Sequence, residues 1–117
     1  MAFKFEKLRV WQQSIDLTGE ISDLIKGFPA EEKYVLSSQI QRAADSIALN
    51  IAEGSTGQTT REFKRFLGIA LRSVIEVVCC LYIGKRRGII SNDKFDYFYG
   101  ISTELIKGIQ ALRKSIN

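Results

Sequence analysis

The sequence predicts an all-α protein, an antiparallel up-down-up-down four-helix bundle, and three observations lead to that prediction. Apolar residues recur at spacings of three and four in four successive segments. The chain holds a single proline, which favours long uninterrupted helices over turn-rich β structure. The segments are joined by short loops of roughly three to seven residues, which makes consecutive helices antiparallel neighbours. We expect residues 1–117 to form one four-helix-bundle domain.

The first two helices are predicted from their apolar stripes and from the residues that stop them. The first runs over about residues 8–26, and the Gly-Phe-Pro sequence at 27–29 ends it. Pro29 is well placed near the start of the second helix, which covers about residues 30–53 and ends at Gly54. Both helices carry apolar residues at helical spacing: Trp11, Ile15, Leu17, Ile21, Leu24 and Ile25 in the first, and Ile40, Ala43, Ala44, Ile47, Ala48 and Ile51 in the second.

Capping residues mark the third and fourth helices. Thr59 precedes the third helix with Glu62 three residues later, which is a capping-box arrangement, and Gly88 follows its end near residue 87. Ser91 or Asn92 can cap the fourth helix. Its apolar stripe alternates by three and four most regularly of all, through Phe95, Phe98, Ser102, Leu105, Ile109, Leu112 and Ile116.

Composition limits the chemistry that the chain can perform. It is 45% hydrophobic and 26% charged, as in ordinary soluble proteins, and its N-terminus shows no signal peptide. The longest apolar stretch contains Arg72 and Glu76, which would be costly in lipid, so we expect no membrane span and a cytoplasmic location. There is no histidine, and the adjacent Cys79 and Cys80 diverge around a helix. We therefore expect no catalytic residue, no metal, no cofactor and no enzymatic activity.

Positive charge is concentrated in the second half of the chain. Residues 1–60 hold 6 Lys and Arg against 8 Asp and Glu, a balance of −2. Residues 61–117 hold 11 against 5, a balance of +6, and the two halves sum to the net charge of +4. The second half therefore carries the positive electrostatic field, which suits an anionic partner.

A regular polar row accompanies the apolar stripe of the second helix. It consists of Gln39, Arg42, Ser46, Asn50 and Glu53. A solvated surface is one interpretation of such a row. Its short and amide side chains favour another, a hydrogen-bonded network at a contact, in which Arg42, Asn50 and Glu53 take part.

The third helix is apolar nearly all the way round from residue 74 to residue 83. Ile75, Cys79 and Ile83 fall opposite its core stripe, and Leu49 is likewise apolar on the polar face of the second helix. A helix that is apolar on every side is normally buried. A second subunit is the simplest cover, so these four residues are predicted to lie at or near an oligomer interface.

The order of specific residues resembles a known family. The motif Q-I-x-R-A-A-x-S-I-x-x-N-I-A-E-G at 39–54 carries most of the resemblance, which extends over about residues 3–80. It also includes Phe28-Pro29 with Glu32, Tyr34 and Leu36, and Glu62-Phe63, Phe66-Leu67, Ile69-Ala70, Ser73 and Glu76. The chain resembles the intervening-sequence four-helix-bundle family, named for genes found in insertions of bacterial large-subunit ribosomal RNA genes.

The resemblance has implications for assembly and partners. It implies a four-helix protomer that forms a homopentameric ring. It also implies kinship with the accessory proteins of diversity-generating retroelements, which are basic pentamers that engage a reverse transcriptase and nucleic acid. No biochemical activity follows from the resemblance itself.

A basic surface for non-specific binding of RNA or DNA is the functional prediction. Its candidate residues are Arg61, Lys64, Arg65, Arg72, Lys85, Arg86 and Arg87. The alternatives are a merely solvated basic helix face and a protein–protein interaction scaffold without a nucleic-acid role. The loop GSTGQTT at 54–60 could also bind an anion through backbone N–H groups, but it lacks the phosphate-loop lysine pattern.

Overall fold

The computed structural model describes residues 2–57 and 59–116, and its helices confirm the predicted all-α four-helix bundle. The helices are α1 (Arg9–Ile25), α2 (Leu36–Gly54), α3 (Thr60–Arg86) and α4 (Asn92–Ser115). Each packs against the next, and α4 closes the bundle against α1. Short 3₁₀ turns at Lys4–Lys7 and Ala30–Glu32 precede α1 and α2. The bundle measures 44 × 24 × 20 Å.

Side-chain caps fix the starts of α3 and α4 as the sequence predicts. The Thr59 hydroxyl accepts a hydrogen bond from the Glu62 backbone N–H at 3.0 Å, and the Ser91 hydroxyl accepts one from the Lys94 N–H at 3.2 Å. Each bond satisfies a donor that the first turn leaves free. Gly88 follows α3 with a φ of +77°, which glycine adopts without steric cost.

The second helix begins later than predicted. Residues 30–32 form a separate 3₁₀ turn, and α2 starts at Leu36 rather than near Ala30. The Leu36 N–H donates to the Glu32 carboxylate at 3.3 Å instead of to a backbone carbonyl. The same carboxylate receives Arg87 at 3.2 Å, so Glu32 ties the start of α2 to the end of α3. The side-chain cap and the extra ion pair favour a break over one continuous helix.

The close packing of α2 against α3 depends on small residues. Ala43, Ala44 and Ala48 are buried along α2. At its end, a Cβ on Gly54 would lie 2.6 Å from the Phe66 Cβ, closer than two non-bonded carbon atoms normally approach. Glycine is therefore required where α2 ends against the start of α3.

By length and composition, α3 is the one described helix that could cross a membrane. Core helices of folded bundles share this property, and α3 buries Leu67, Ala70, Val74 and Val77 completely between its neighbours. The apolar character of α3 thus follows in part from its place in the core.

Candidate interaction surfaces

Part of the predicted polar row joins α2 to α3. The Asn50 amide donates to the Ser46 carbonyl at 2.8 Å and to the Ser46 hydroxyl at 2.9 Å, and the Ser73 hydroxyl donates to the Ser46 hydroxyl at 2.9 Å. Nearer the start of α2, the Gln39 amide donates to the Glu76 carboxylate. The Ser46–Ser73 and Gln39–Glu76 bonds pair polar groups across the two adjacent helices and fix their register, while the Asn50 bonds lie within α2.

Arg42 and Glu53 occupy a different environment from the rest of the row. Both are exposed, and their side chains form no hydrogen bond with another residue in the ranges 2–57 and 59–116. Within one protomer, the hydrogen-bonded network therefore contains Asn50, Ser46 and Ser73 but neither Arg42 nor Glu53. Their participation in a network across a subunit contact stays a prediction.

Sequence reasoning missed a second polar cluster, between α1 and α2. The Gln41 amide donates to Asp45 at 2.9 Å and to the Thr18 hydroxyl at 3.1 Å, and that hydroxyl in turn donates to Asp45. The spacing of Gln41 and Asp45 by four residues is a signal that could have indicated it. The Thr18 partner could not be found this way, because it lies on another helix. The cluster is structural, since its polar groups satisfy one another.

The four residues predicted for an oligomer interface are all exposed in the protomer. Leu49 is 61% exposed, Ile75 59% and Ile83 37%, and Cys79 is also exposed. The adjacent Cys80 lies in the core, where loss of solvation raises its pKa to about 11. Burying one large aliphatic side chain stabilises by about 1.5–3 kcal/mol, so this surface offers a substantial gain to a partner that covers it.

The exposed apolar residues of α3 share one outer face with four arginines. At 100° per residue, this outer ridge consists of Arg61, Arg65, Arg72, Ile75, Cys79, Ile83 and Arg86. Arg61, Arg65 and Arg86 lie toward its ends, Arg72 lies near its middle, and the apolar residues lie in its second half. Arg72 does not pair with Glu76, which is bound by Gln39. The ridge can therefore make apolar contacts with another subunit and ionic contacts with an anion.

Six of the seven predicted nucleic-acid-binding residues fall into two groups at opposite ends of α3, and the seventh, Arg72, lies exposed near the middle of the helix. A rise of 1.5 Å per residue places Arg61 and Arg86 about 37 Å apart. At one end, Arg65 binds Glu62 through two guanidinium nitrogens at 3.0 and 3.1 Å and covers the Phe66 ring at 4.6 Å. The hydrogen bond to Arg65 lowers the pKa of Glu62 and raises that of Arg65, so both remain charged.

At the other end, one of the three consecutive cations is neutralised by a carboxylate, and another only lies over a neutral aromatic ring. Lys85 lies 4.4 Å from the centroid of the Phe95 ring, and Arg87 pairs with Glu32. Arg86, in contrast, is exposed and forms no ion pair with the part of the chain that the structure describes. Lys85 and Arg86 therefore retain charge that is available to an external anion.

The fold adds α4 residues to the first group that sequence reasoning did not include. Arg113 and Lys114 line a shallow groove with Lys64, Leu71 and Gln110. The Arg113 guanidinium lies across Gly68, with Nη2 3.3 Å from where a Cβ would be. We call Arg61, Lys64, Arg65, Arg113 and Lys114 the basic end of the bundle. The α4 residues were missed because about fifty residues of sequence separate them from the others.

The titratable residues form no recognisable metal site. Among residues 2–57 and 59–116, no three Asp, Glu or Cys side chains converge in a way that could hold a metal ion. Glu53, Glu62 and Glu76 lie at separate points along α2 and α3, and the last two are bound by Arg65 and Gln39. Gln58, in the loop considered for anion binding, lies outside the described residues.

Comparison with known proteins agrees with this geometry. A family model described as 23S rRNA-intervening sequence protein matches residues 6–111. Among solved structures, the chain is similar to a protein with unknown function from the S23 ribosomal protein family of Bacteroides thetaiotaomicron VPI-5482. The two are 30% identical with a TM-score of 0.84, and the match covers 91% of this chain and 96% of that one. A search of curated proteins finds no match. With nearly the whole bundle matched, the chain belongs to the family of 23S rRNA-intervening sequence proteins.

Proposed function

We propose that the protein is a non-catalytic homo-oligomeric adaptor, a pentamer, whose basic surface binds RNA or DNA without sequence specificity. The observation that carries the proposal is the convergence of α3 and α4 cations at the basic end. Five cationic side chains meet there, and the carboxylate beside them, Glu62, is bound to Arg65. Arginine and lysine in this arrangement bind phosphate oxygens without reading bases.

Assembly makes this modest charge effective. One protomer offers a handful of phosphate contacts, and the affinity for nucleic acid rises steeply with the number of phosphates neutralised. A ring of five protomers repeats the basic end five times on one particle, so that each contact raises the effective concentration of the next. The exposed Leu49, Ile75 and Ile83 supply an apolar surface on which such a ring can form.

A protein scaffold is the second candidate function, and the same apolar surface favours it. If a different protein covers Leu49, Ile75 and Ile83, the charge serves solubility alone. A reverse transcriptase is the protein partner that the family resemblance implies. Salt separates the two candidates, because phosphate binding weakens steeply with salt whereas a contact with an apolar core does not.

Fluorescence anisotropy with labelled mixed-sequence RNA and duplex DNA, at several salt concentrations, tests the proposal. We expect the affinity of the wild type to fall linearly on a log–log salt plot. Arg61→Glu with Arg65→Glu should flatten that slope, since phosphate contacts are lost. Ile83→Asp should weaken binding with every arginine intact, because the oligomer is broken.

A matched control keeps the change in net charge the same. Lys26→Glu with Lys33→Glu alters the charge by the same amount near the junction of α1 and α2, away from the basic end. This variant should keep most of the wild-type affinity and its salt slope. No detectable binding by the wild type at low salt would remove the nucleic-acid function and leave the scaffold candidate.

A further inference from the structure

We propose that Tyr82 and Tyr99 form a platform on which unpaired bases stack, so that the protein binds a single strand in preference to a duplex. The inference rests on the proposed function and specifies its ligand class. The two tyrosines come from α3 and α4 and are 53% and 40% exposed. Tyr99 comes next to Tyr82 only through the packing of α4 on α3, so the sequence alone does not indicate the pair.

The platform has a fixed geometry. Phe95 is buried beneath the two tyrosines, with its centroid 4.8 Å from that of Tyr82 and 5.6 Å from that of Tyr99. The two tyrosine rings meet edge to face, with centroids 6.4 Å apart and planes at 87°. Rings held by neighbours in this way lose little freedom when a ligand stacks on them.

Positive charge lies beside the platform. Lys85 sits 4.4 Å from the centroid of Phe95, the ring beneath the two tyrosines. Arg86, the next residue in the sequence, lies on the outer ridge. Asp96, adjacent to Phe95 in the sequence, is an exposed carboxylate nearby on α4. With Asp93 and Lys94, which precede Phe95 in the first turn of α4, three cations against two carboxylates leave a positive balance where the phosphates next to a stacked base would lie.

The platform and the basic end lie along the same side of α3, the side that faces α4. Tyr82 contacts Phe95 and Tyr99 of α4, and Lys64 shares a groove with Gln110 and Arg113 of α4. Eighteen residues separate Tyr82 from Lys64, a distance of about 27 Å along the helix. A single strand of a few nucleotides can span that distance, consistent with roughly 4–16 nucleotides in known single-strand sites.

The combination of rings and charge distinguishes a single strand from a duplex. Cations alone bind either form, since both carry phosphates. Exposed aromatic rings gain from a nucleic acid only when its bases are unpaired and free to stack. The side of the bundle formed by α3 and α4, with stacking rings near one end and cations at the other, therefore favours a single strand.

The test compares a labelled 12-nucleotide oligouridine with a 12-base-pair duplex by fluorescence anisotropy. Tyr82→Ala with Tyr99→Ala should weaken oligouridine binding at least about fivefold, in line with one lost base stack, and leave duplex binding and both salt slopes unchanged. Tyr82→Phe with Tyr99→Phe should retain wild-type affinity, because phenylalanine also stacks. Tyr34 is an exposed tyrosine just before the start of α2. Tyr34→Ala is therefore the matched control and should change neither affinity.

The outcomes separate this inference from the proposed function. The stacking platform is overturned if the alanine variant binds both ligands with the wild-type affinity. It is also overturned if the variant loses the same factor of affinity for both ligands. In either case, non-specific phosphate binding stands. A change of oligomer mass in the alanine variant, measured by light scattering, also overturns it, because the tyrosines then serve a subunit contact. No binding of either ligand by the wild type removes the proposed function itself.

Discussion

Gly54 is the residue at which side-chain size most directly limits the fold. A methyl group there would meet the Phe66 Cβ at 2.6 Å and a Phe63 ring carbon at 3.1 Å, and the first of these atoms is fixed to the backbone of α3. Gly54→Ala should therefore lower the free energy of unfolding by about 1–3 kcal/mol, the usual cost of overpacking. Urea denaturation followed by circular dichroism measures this change.

Gly19 supplies the matched control for that experiment. It lies inside α1 with no atom within 4 Å of a Cβ position, so Gly19→Ala tests helix propensity alone. This change should raise the free energy of unfolding by about 0.5–1 kcal/mol. If both variants shifted stability in the same direction, the close contact between Gly54 and Phe66 would not be the cause.

At the residue scale, sequence predicts what depends on local geometry. The caps at Thr59 and Ser91 follow from short-range spacing, and the exposure of Leu49 and Ile75 follows from helical periodicity. The partners of Tyr82 and Arg113 lie on another helix and depend on the rotation of each helix about its axis. A single sequence does not determine that rotation, so the platform and the full basic end could not be predicted.

At the element scale, α3 carries both the predicted oligomer interface and part of the proposed nucleic-acid surface. Its outer ridge presents Ile75, Cys79 and Ile83, and its flank toward α4 carries Lys64 and Tyr82. The same helix also lines the core. Its apolar periodicity correctly indicated burial, but part of the apolar surface faces away from the protomer core. For this reason the sequence pattern predicted a subunit contact as well as a bundle helix.

The reactivity of the two cysteines tests whether the ridge is covered. In the assembled protein, Cys79 should react slowly with a maleimide, and Ile75→Asp should speed that reaction by separating the subunits. Cys80 is an internal reference, because burial raises its pKa to about 11 and keeps its thiol protonated near neutral pH. Mass spectrometry of the labelled protein measures both rates.

Ile15→Asp is the control for that labelling experiment. Ile15 is also an exposed isoleucine, 42% accessible, but it lies on α1. The Ile15→Asp substitution should leave Cys79 as slow to react as in the wild type, because the ridge remains covered. Rapid labelling of Cys79 in the wild type at tens of micromolar protein would contradict the predicted interface.

At the scale of the whole molecule, the bundle is electrostatically two-sided. Asp16, Glu20 and Glu104 line the groove between α1 and α4, and Tyr97 donates a hydrogen bond to Glu20 that raises its own pKa. The basic end lies instead between α3 and α4. The charge balance of the two halves of the sequence indicated the positive charge of α3 and α4, but not that Glu104 of α4 joins an acidic groove with α1. A polyanion is therefore steered toward the α3 side.

Native mass spectrometry of the wild type with a 12-nucleotide RNA tests the central claim, that an oligomer of this chain binds nucleic acid. We expect an assembly of five protomers, five times 13.2 kDa or about 66 kDa, with RNA bound. Raising the ionic strength should remove the RNA before it dissociates the protein. Protomers of 13.2 kDa without RNA would contradict the claim, and an RNA-free pentamer would leave the protein scaffold as the function.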